Sequence, residues 1–187
     1  MKEMGKEIDR LSNELTRQRW EFWHMYTLFS WQWWSLVALC LLCVVALVLL
    51  LKRDKLVQAA AYYGVIYLIN KNVDDWATAM DWYDYRMQLE PIIPTMLPAN
   101  LFAIPTILTL LYYRLPGWKG FALALAAASA VISYIMLPFM EWAQIYVTGK
   151  WNAHSSFISL FIMGSLAKWV VDMLQKLQDR PQGRVRP

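Results

Sequence analysis

Four long stretches of this chain contain no Asp, Glu, Lys or Arg: residues 22–51, 91–113, 120–140 and 151–167, with a shorter fifth at 56–70. A helix needs roughly 20 apolar residues to cross a hydrocarbon core about 30 Å thick. Three of the runs meet that length outright, and the other two reach it by taking in a few polar residues at their ends. The pattern predicts an all-α fold: a polytopic membrane helical bundle of about five transmembrane helices plus an N-terminal amphipathic helix. The expected organisation is an amphipathic or interfacial helix over 1–30 and a bundle over 31–174, with spans at about 33–51, 56–75, 98–113, 120–140 and 154–174. A basic tail, 175–187, follows, and its Pro and Gly content predicts disorder. With 187 residues in all, 58% of them hydrophobic and 17% charged, little chain remains for a separate soluble domain.

A net charge of +4 is modest, and the basic residues gather at helix ends, so a nucleic-acid partner is not expected. Cys40 and Cys43 sit inside the first apolar run and read as small apolar fillers, with no His or further Cys near them to make a metal signature. The charge-rich opening and the long run behind it do not fit a cleavable signal peptide.

Met4, Ile8, Leu11 and Leu15 recur at spacings of 4, 3 and 4, one apolar stripe along a helix. Arg10–Glu14 and Arg17–Glu21 are placed to support that helix as i,i+4 pairs. Such a helix lies in the interface, packs on its own protein, or docks a partner as a short coiled coil. Next comes an aromatic cluster from Trp20 to Trp34, a signature of the headgroup level. The first span ends at Lys52-Arg53-Asp54-Lys55. Pro91, Pro94 and Pro98 forbid regular helix through the segment before the third span, and Pro105 is expected to kink that span. Six alanines between Ala122 and Ala130 offer small faces for close helix packing, within one chain or in a homo-oligomer.

Charge predicts orientation. Segments 52–55 and 114–119 each net +2 and the tail from Lys168 nets +3, while 71–90 nets −3. Basic loops stay cytoplasmic, which places the N-terminus outside and the C-terminus inside a cell membrane.

Ionisable groups at membrane depth are costly and default to functional candidates. Lys71, Asp74 and Asp75 lie at i,i+3 and i,i+4 on one helix. They form either a self-neutralising cluster at the interface or a polar site inside the bundle. On the same predicted side lie Asp81, Asp84, Arg86, Glu90, Asn100, Glu141, Gln144, Lys150, Asn152, His154, Ser155 and Ser156, which would line an outward cavity roofed by Trp and Tyr if the loops fold together. The candidate polar site is Lys71, Asp74, Asp75, Tyr85, Asn100, Glu141 and His154. No metal-ligand spacing, Ser–His–Asp order or Gly-rich phosphate loop accompanies it, so neither an enzyme nor a cofactor is expected.

From Trp20 to Trp169 the chain resembles a family of small multi-pass membrane proteins frequent in endospore-forming Bacilli and Clostridia, to which no activity is assigned. The resemblance rests on Phe29-Ser30-Trp31-Gln32-Trp33-Trp34, the acid at Asp74, Tyr83-Asp84-Tyr85 leading into Pro91-Ile92-Ile93-Pro94, and Leu97-Pro98. It continues through Ile104-Pro105, Trp118-Lys119, Pro138, Ile145-Tyr146, Trp151, Ser156-Phe157 and Lys168-Trp169. The family often carries acids where this chain has Asn100 and Leu137, which leaves Asp74 as the best remaining site residue. The resemblance implies a membrane location and a sporulating Gram-positive source. Two functions are expected from these observations. The first is a structural or interaction component of a cell or spore membrane. The alternative is binding or transport of a small solute, ion or lipid at an outward site around Asp74, and the two differ in whether the candidate side chains converge.

Overall fold

The computed structural model describes residues 2–93 and 95–179. Helix α1 (Lys2–Phe22) passes into a single π turn, Trp23–Thr27, and the chain then breaks at Phe29, whose φ of 61° is left-handed. The apolar stripe of α1 is exposed, and no residue of the helix is buried. Its ion pairs are not the expected ones: Arg10 bonds Glu7 at 2.7 Å and Arg17 bonds Glu14 at 2.8 Å. In both, the acid precedes the base by three residues, so the acid lies toward the helix N-terminus, as the helix dipole favours.

Helix α2 (Trp31–Leu50) starts at Ser30, whose Oγ accepts the Trp33 amide at 3.2 Å. After a 3₁₀ turn, Arg53–Lys55, helix α3 (Leu56–Ala79) runs four residues past its expected end. Strand β1 (Tyr83–Tyr85) follows, then an irregular segment to a π turn, Pro98–Ala103, and α4 (Ile104–Arg114). Helix α5 (Trp118–Val131), a π turn (Ile132–Met136) and α6 (Leu137–Trp142) form one continuous rod. Strand β2 (Tyr146–Thr148) and α7 (Ala153–Gln178) complete the order. The expected tail 175–187 is helical over its first four residues, and from residue 180 it lies outside the described residues, as does Pro94.

Among the described residues the fold is thus all-α apart from one short ribbon, and three helices are long and apolar enough to cross a membrane: α2, Trp118–Trp142 and α7. On α2, Leu41, Leu42, Val48 and Leu49 are each more than 60% exposed, a surface suited to lipid and not to water. Both long rods near prolines use a π turn just upstream, at Pro98–Ala103 before Pro105 and at Ile132–Met136 before Pro138. Proline lacks the amide that would bond four residues back. For Pro105 that orphaned carbonyl is Leu101, and the Tyr63 hydroxyl donates to it.

The core lies among α3, α4, α5 and α7, built on Tyr62, Ile66, Leu108, Tyr112, Phe121, Leu125, Leu160 and Met163. The face that α5 turns inward is Phe121, Leu125 and Ser129, continued by Ser133, and the alanines flank it. The close approach comes instead from Gly164 of α7, where an added Cβ would stand 2.7 Å from Leu125 Cδ1.

Strands β1 and β2 pair antiparallel, with Tyr83 opposite Thr148, Asp84 opposite Val147 and Tyr85 opposite Tyr146. Both strands fall between expected spans, where loop is expected. Each strand is launched by the same device. After α3, Asp81 is left-handed (φ 52°), the Trp82 amide donates to Ala77 O at 2.9 Å, and the Asp81 amide donates to Thr78 O at 3.1 Å. After α6, Gln144 is left-handed (φ 58°), and Ile145 and Gln144 donate to Met140 O and Glu141 O, both at 2.9 Å. These are two Schellman caps, and they turn the two helix ends into facing strands.

A Cβ at Gly149 would meet the Trp82 carbonyl oxygen at 2.5 Å, and that same oxygen accepts the Trp151 amide at 3.1 Å. Gly149→Ala is expected to destabilise the protein by about 1–3 kcal/mol, because backbone rather than a flexible side chain must yield. Gly64→Ala, at a helical position with open space around it, is expected to be neutral or stabilising. Thermal unfolding of both variants in detergent checks the contrast, and equal melting temperatures would contradict it.

Candidate functional site

Helix α3 buries one stripe: Ala59, Tyr62, Ile66, Asn70, Asp74 and Ala77. Because those positions recur every three or four residues, Asp74 falls on the inner face and its neighbour Asp75 is turned about 100° away. The Lys71–Asp74–Asp75 group therefore separates. Lys71 and Asp75 form a half-exposed ion pair, with Asp75 also accepting from the Thr95 hydroxyl. Asp74, only 3% exposed, points into the protein.

Tyr83 and Tyr85 are two apart on β1, so both reach the same face, while Asp84 between them is exposed. Their hydroxyls both donate to Asp74 Oδ1, at 2.8 and 2.7 Å. Burial first, and the adjacent Asp74 carboxylate second, hold both phenols above the ordinary tyrosine range. They consequently stay protonated at physiological pH and act as fixed donors. Asp74 Oδ2 is buried and has no hydrogen-bond partner. Asn70 Nδ2 donates to Asn100 Oδ1 at 2.6 Å, and Asn100 Nδ2, also without a hydrogen bond, is buried beside the Asp74 carboxylate.

These groups border a cavity of about 70 Å³. Its polar lining is Asn70, Asp74, Asn100, Ser156 and Ser159, its aromatic lining Tyr83, Tyr85, Tyr146 and Trp151, and its apolar walls include Ile104, Ile132, Leu137, Leu160 and Met163. The aromatic side chains pack on one another, with Tyr83 and Tyr146 centroids 5.4 Å apart, Tyr85 and Tyr146 5.7 Å, and Tyr83 and Trp151 6.1 Å. Toward the middle of the bundle the helices close: Tyr62 donates to Gly164 O at 3.0 Å and Leu125 fills the space against Gly164.

Of the candidate residues, the structure brings Asp74, Tyr85 and Asn100 together. Glu141 is exposed, although its charge adds to burial in pushing the Tyr146 phenol up. His154 is exposed too, its Nδ1 lying 2.7 Å from the Tyr134 hydroxyl. Asn152 is taken up in capping α7, where it accepts the Ser155 amide at 2.9 Å, and Ser156 accepts from Trp151 Nε1 at 2.7 Å. Asn70, Tyr83, Tyr146, Trp151 and Ser159 are the site residues that the sequence reading did not nominate. One signal for Asn70 was available: it lies midway between Ile66 and Asp74 at four-residue spacing.

A second polar group sits at the other end of the bundle. Lys168, 1% exposed, donates to Pro116 O at 3.0 Å and lies 3.2 Å from Asp172 Oδ2. Its ammonium is 4.8, 5.2 and 5.3 Å from the rings of Tyr112, Trp118 and Phe121. Counted with the tail's charge for orientation but lying inside the expected fifth span, Lys168 is a core residue that ties the α4–α5 turn to α7. Among the described residues no three His, Cys, Asp or Glu side chains gather to hold a metal ion. Comparisons with protein-family models, curated proteins and solved structures return no match, so the chemistry of the site rests on its geometry.

Tyr85→Phe removes one of two donors from a buried carboxylate and is expected to cost about 1.5–3 kcal/mol. In a cycle with Asp74→Asn the two effects are expected to fall short of additive, because each removes the same bond. Strict additivity in unfolding measurements would place the Tyr85 hydroxyl elsewhere.

Proposed function

We propose that the chain crosses the membrane five times and that its ribbon-capped cavity binds a small polar solute, with Asp74 as the anchoring group. The observation that carries this reading is the Asp74 carboxylate: one oxygen holds two tyrosine hydroxyls, and the other is buried beside a cavity with no partner. An unsatisfied buried acceptor costs about 1–3 kcal/mol, more when charged, and a guest that donates to it recovers that loss.

The spans are α2, α3, Pro98–Arg114, Trp118–Trp142 and α7. Helix α3 is long enough to cross, and of its polar groups Asn70 and Asp74 face the bundle interior, while Lys71 and Asp75 neutralise each other near its end. Lipid therefore meets little of their charge. The basic segments at 52–55 and 114–119 support a cytoplasmic end for Lys168, which puts the ribbon and Asp74 outside. The convergence of Asp74, Tyr85 and Asn100 favours binding over a purely structural role. The structural reading keeps one observation, the exposed stripe of α1.

The test is cysteine accessibility at Ser159, which lines the cavity. Ser159→Cys is made in a background with Cys40→Ala and Cys43→Ala and labelled with an impermeant maleimide from outside intact cells. Slow labelling that some component of a small-solute mixture retards is the expected result. Fast labelling that no solute changes would restore the structural role, and labelling confined to inverted vesicles would reverse the orientation.

A further inference from the structure

Resting on the reading of the cavity as a solute site, we infer that its guest is a small organic ammonium ion. The lining holds a single charged group, the Asp74 carboxylate, and neither Lys nor Arg. A buried carboxylate without a counter-charge is expensive, and a cation offsets that cost where a neutral guest does not. An anion would meet the carboxylate and find no positive partner.

The kind of cation follows from the remaining walls. Divalent ions take six or more oxygen ligands, several of them carboxylates or carbonyls. Here the lining offers one carboxylate, the Asn70 and Asn100 carboxamides, which bond each other, and the Ser156 and Ser159 hydroxyls, the first already taken by Trp151, beside the rings of Tyr83, Tyr85 and Tyr146. A carboxylate set among aromatic rings suits an ammonium, whose N–H groups bond the oxygen and whose diffuse charge is attracted to the rings. A cavity of about 70 Å³ is several times the roughly 10–15 Å³ that one water needs, and it has room for a small ammonium such as methylammonium.

The same fold already carries this chemistry once. At the opposite end Lys168 supplies a tethered ammonium to the rings of Tyr112, Trp118 and Phe121 and to the carboxylate of Asp172. The Asp74 cavity has the rings and the carboxylate, and among the described residues no side chain provides the ammonium.

Binding of radiolabelled methylammonium to the full chain in lipid nanodiscs tests the inference. Saturable binding is expected, displaced by unlabelled ammonium salts and unaffected by equal sodium chloride. Asp74→Asn is expected to weaken it roughly tenfold or more. Ser159→Leu, which fills the cavity and leaves the Asp74 hydrogen bonds intact, is expected to abolish it and serves if Asp74→Asn does not fold. Displacement by sodium chloride, binding unchanged in Ser159→Leu, or saturable binding of neutral acetamide with methylammonium inert would each overturn the inference. Absence of methylammonium binding also overturns it. Solute protection of the Ser159→Cys label then decides separately whether the cavity stands as a site for another solute.

Discussion

A carboxylate buried on the inner face of α3 has to be hydrogen-bonded, and the way Asp74 meets that requirement shapes one whole end of the molecule. Its donors, Tyr83 and Tyr85, sit on a three-residue strand that has no stability by itself. The strand is held by pairing with Tyr146–Thr148, by the Schellman caps at Asp81 and Gln144, and by Gly149, which lets the chain pass close against the Trp82 carbonyl. Two left-handed non-glycine residues and one sterically obligatory glycine are thus tied to the placement of two phenols.

The bundle keeps its buried charges at its two ends, with a tightly packed stretch between them. Tyr62 stacks on Tyr112 at 4.4 Å and only 6° between planes, and Leu125 occupies the notch at Gly164. These contacts separate the Asp74 cavity from the Lys168–Asp172 pair. The two ends use related parts, a carboxylate with aromatic rings, in different ways. At Lys168 the chain supplies its own cation and closes the α4–α5 turn onto α7, a structural use. At Asp74 the tyrosines satisfy one carboxylate oxygen and leave the other to the cavity.

Helices were the legible part of this protein. Period and charge placed α2, the Trp118–Trp142 rod and α7 within a few residues of where they lie, because a long apolar run has few other solutions. Pro105 marked one helix irregularity, while the one before Pro138 and the π turns that absorb both were not foreseen. The ribbon was illegible for a specific reason. Three residues are too few for period-two alternation to register, and the left-handed caps fall on Asp81 and Gln144, where glycine or asparagine would have been the recognisable signal. Candidate residues chosen for one predicted side of the membrane scattered accordingly: Glu141 and His154 do not reach the Asp74 cavity.

Composition and spacing alone determined that the chain is helical, that it carries helices fit for a bilayer, and that Lys71, Asp74 and Asp75 share one stretch of α3; only the family resemblance set Asp74 before Asp75. Those properties are local, set by the polarity of twenty consecutive residues and the pitch of a helix. Tertiary structure alone decided that Asp74 and Asp75, adjacent in the chain, have opposite fates, and that Lys168 belongs to the core. It also decided that Tyr83, Tyr85, Asn100 and Ser159 line one cavity with Asp74. Such meetings depend on how α3, the ribbon and α7 are rotated and set against each other, and no single segment encodes that arrangement.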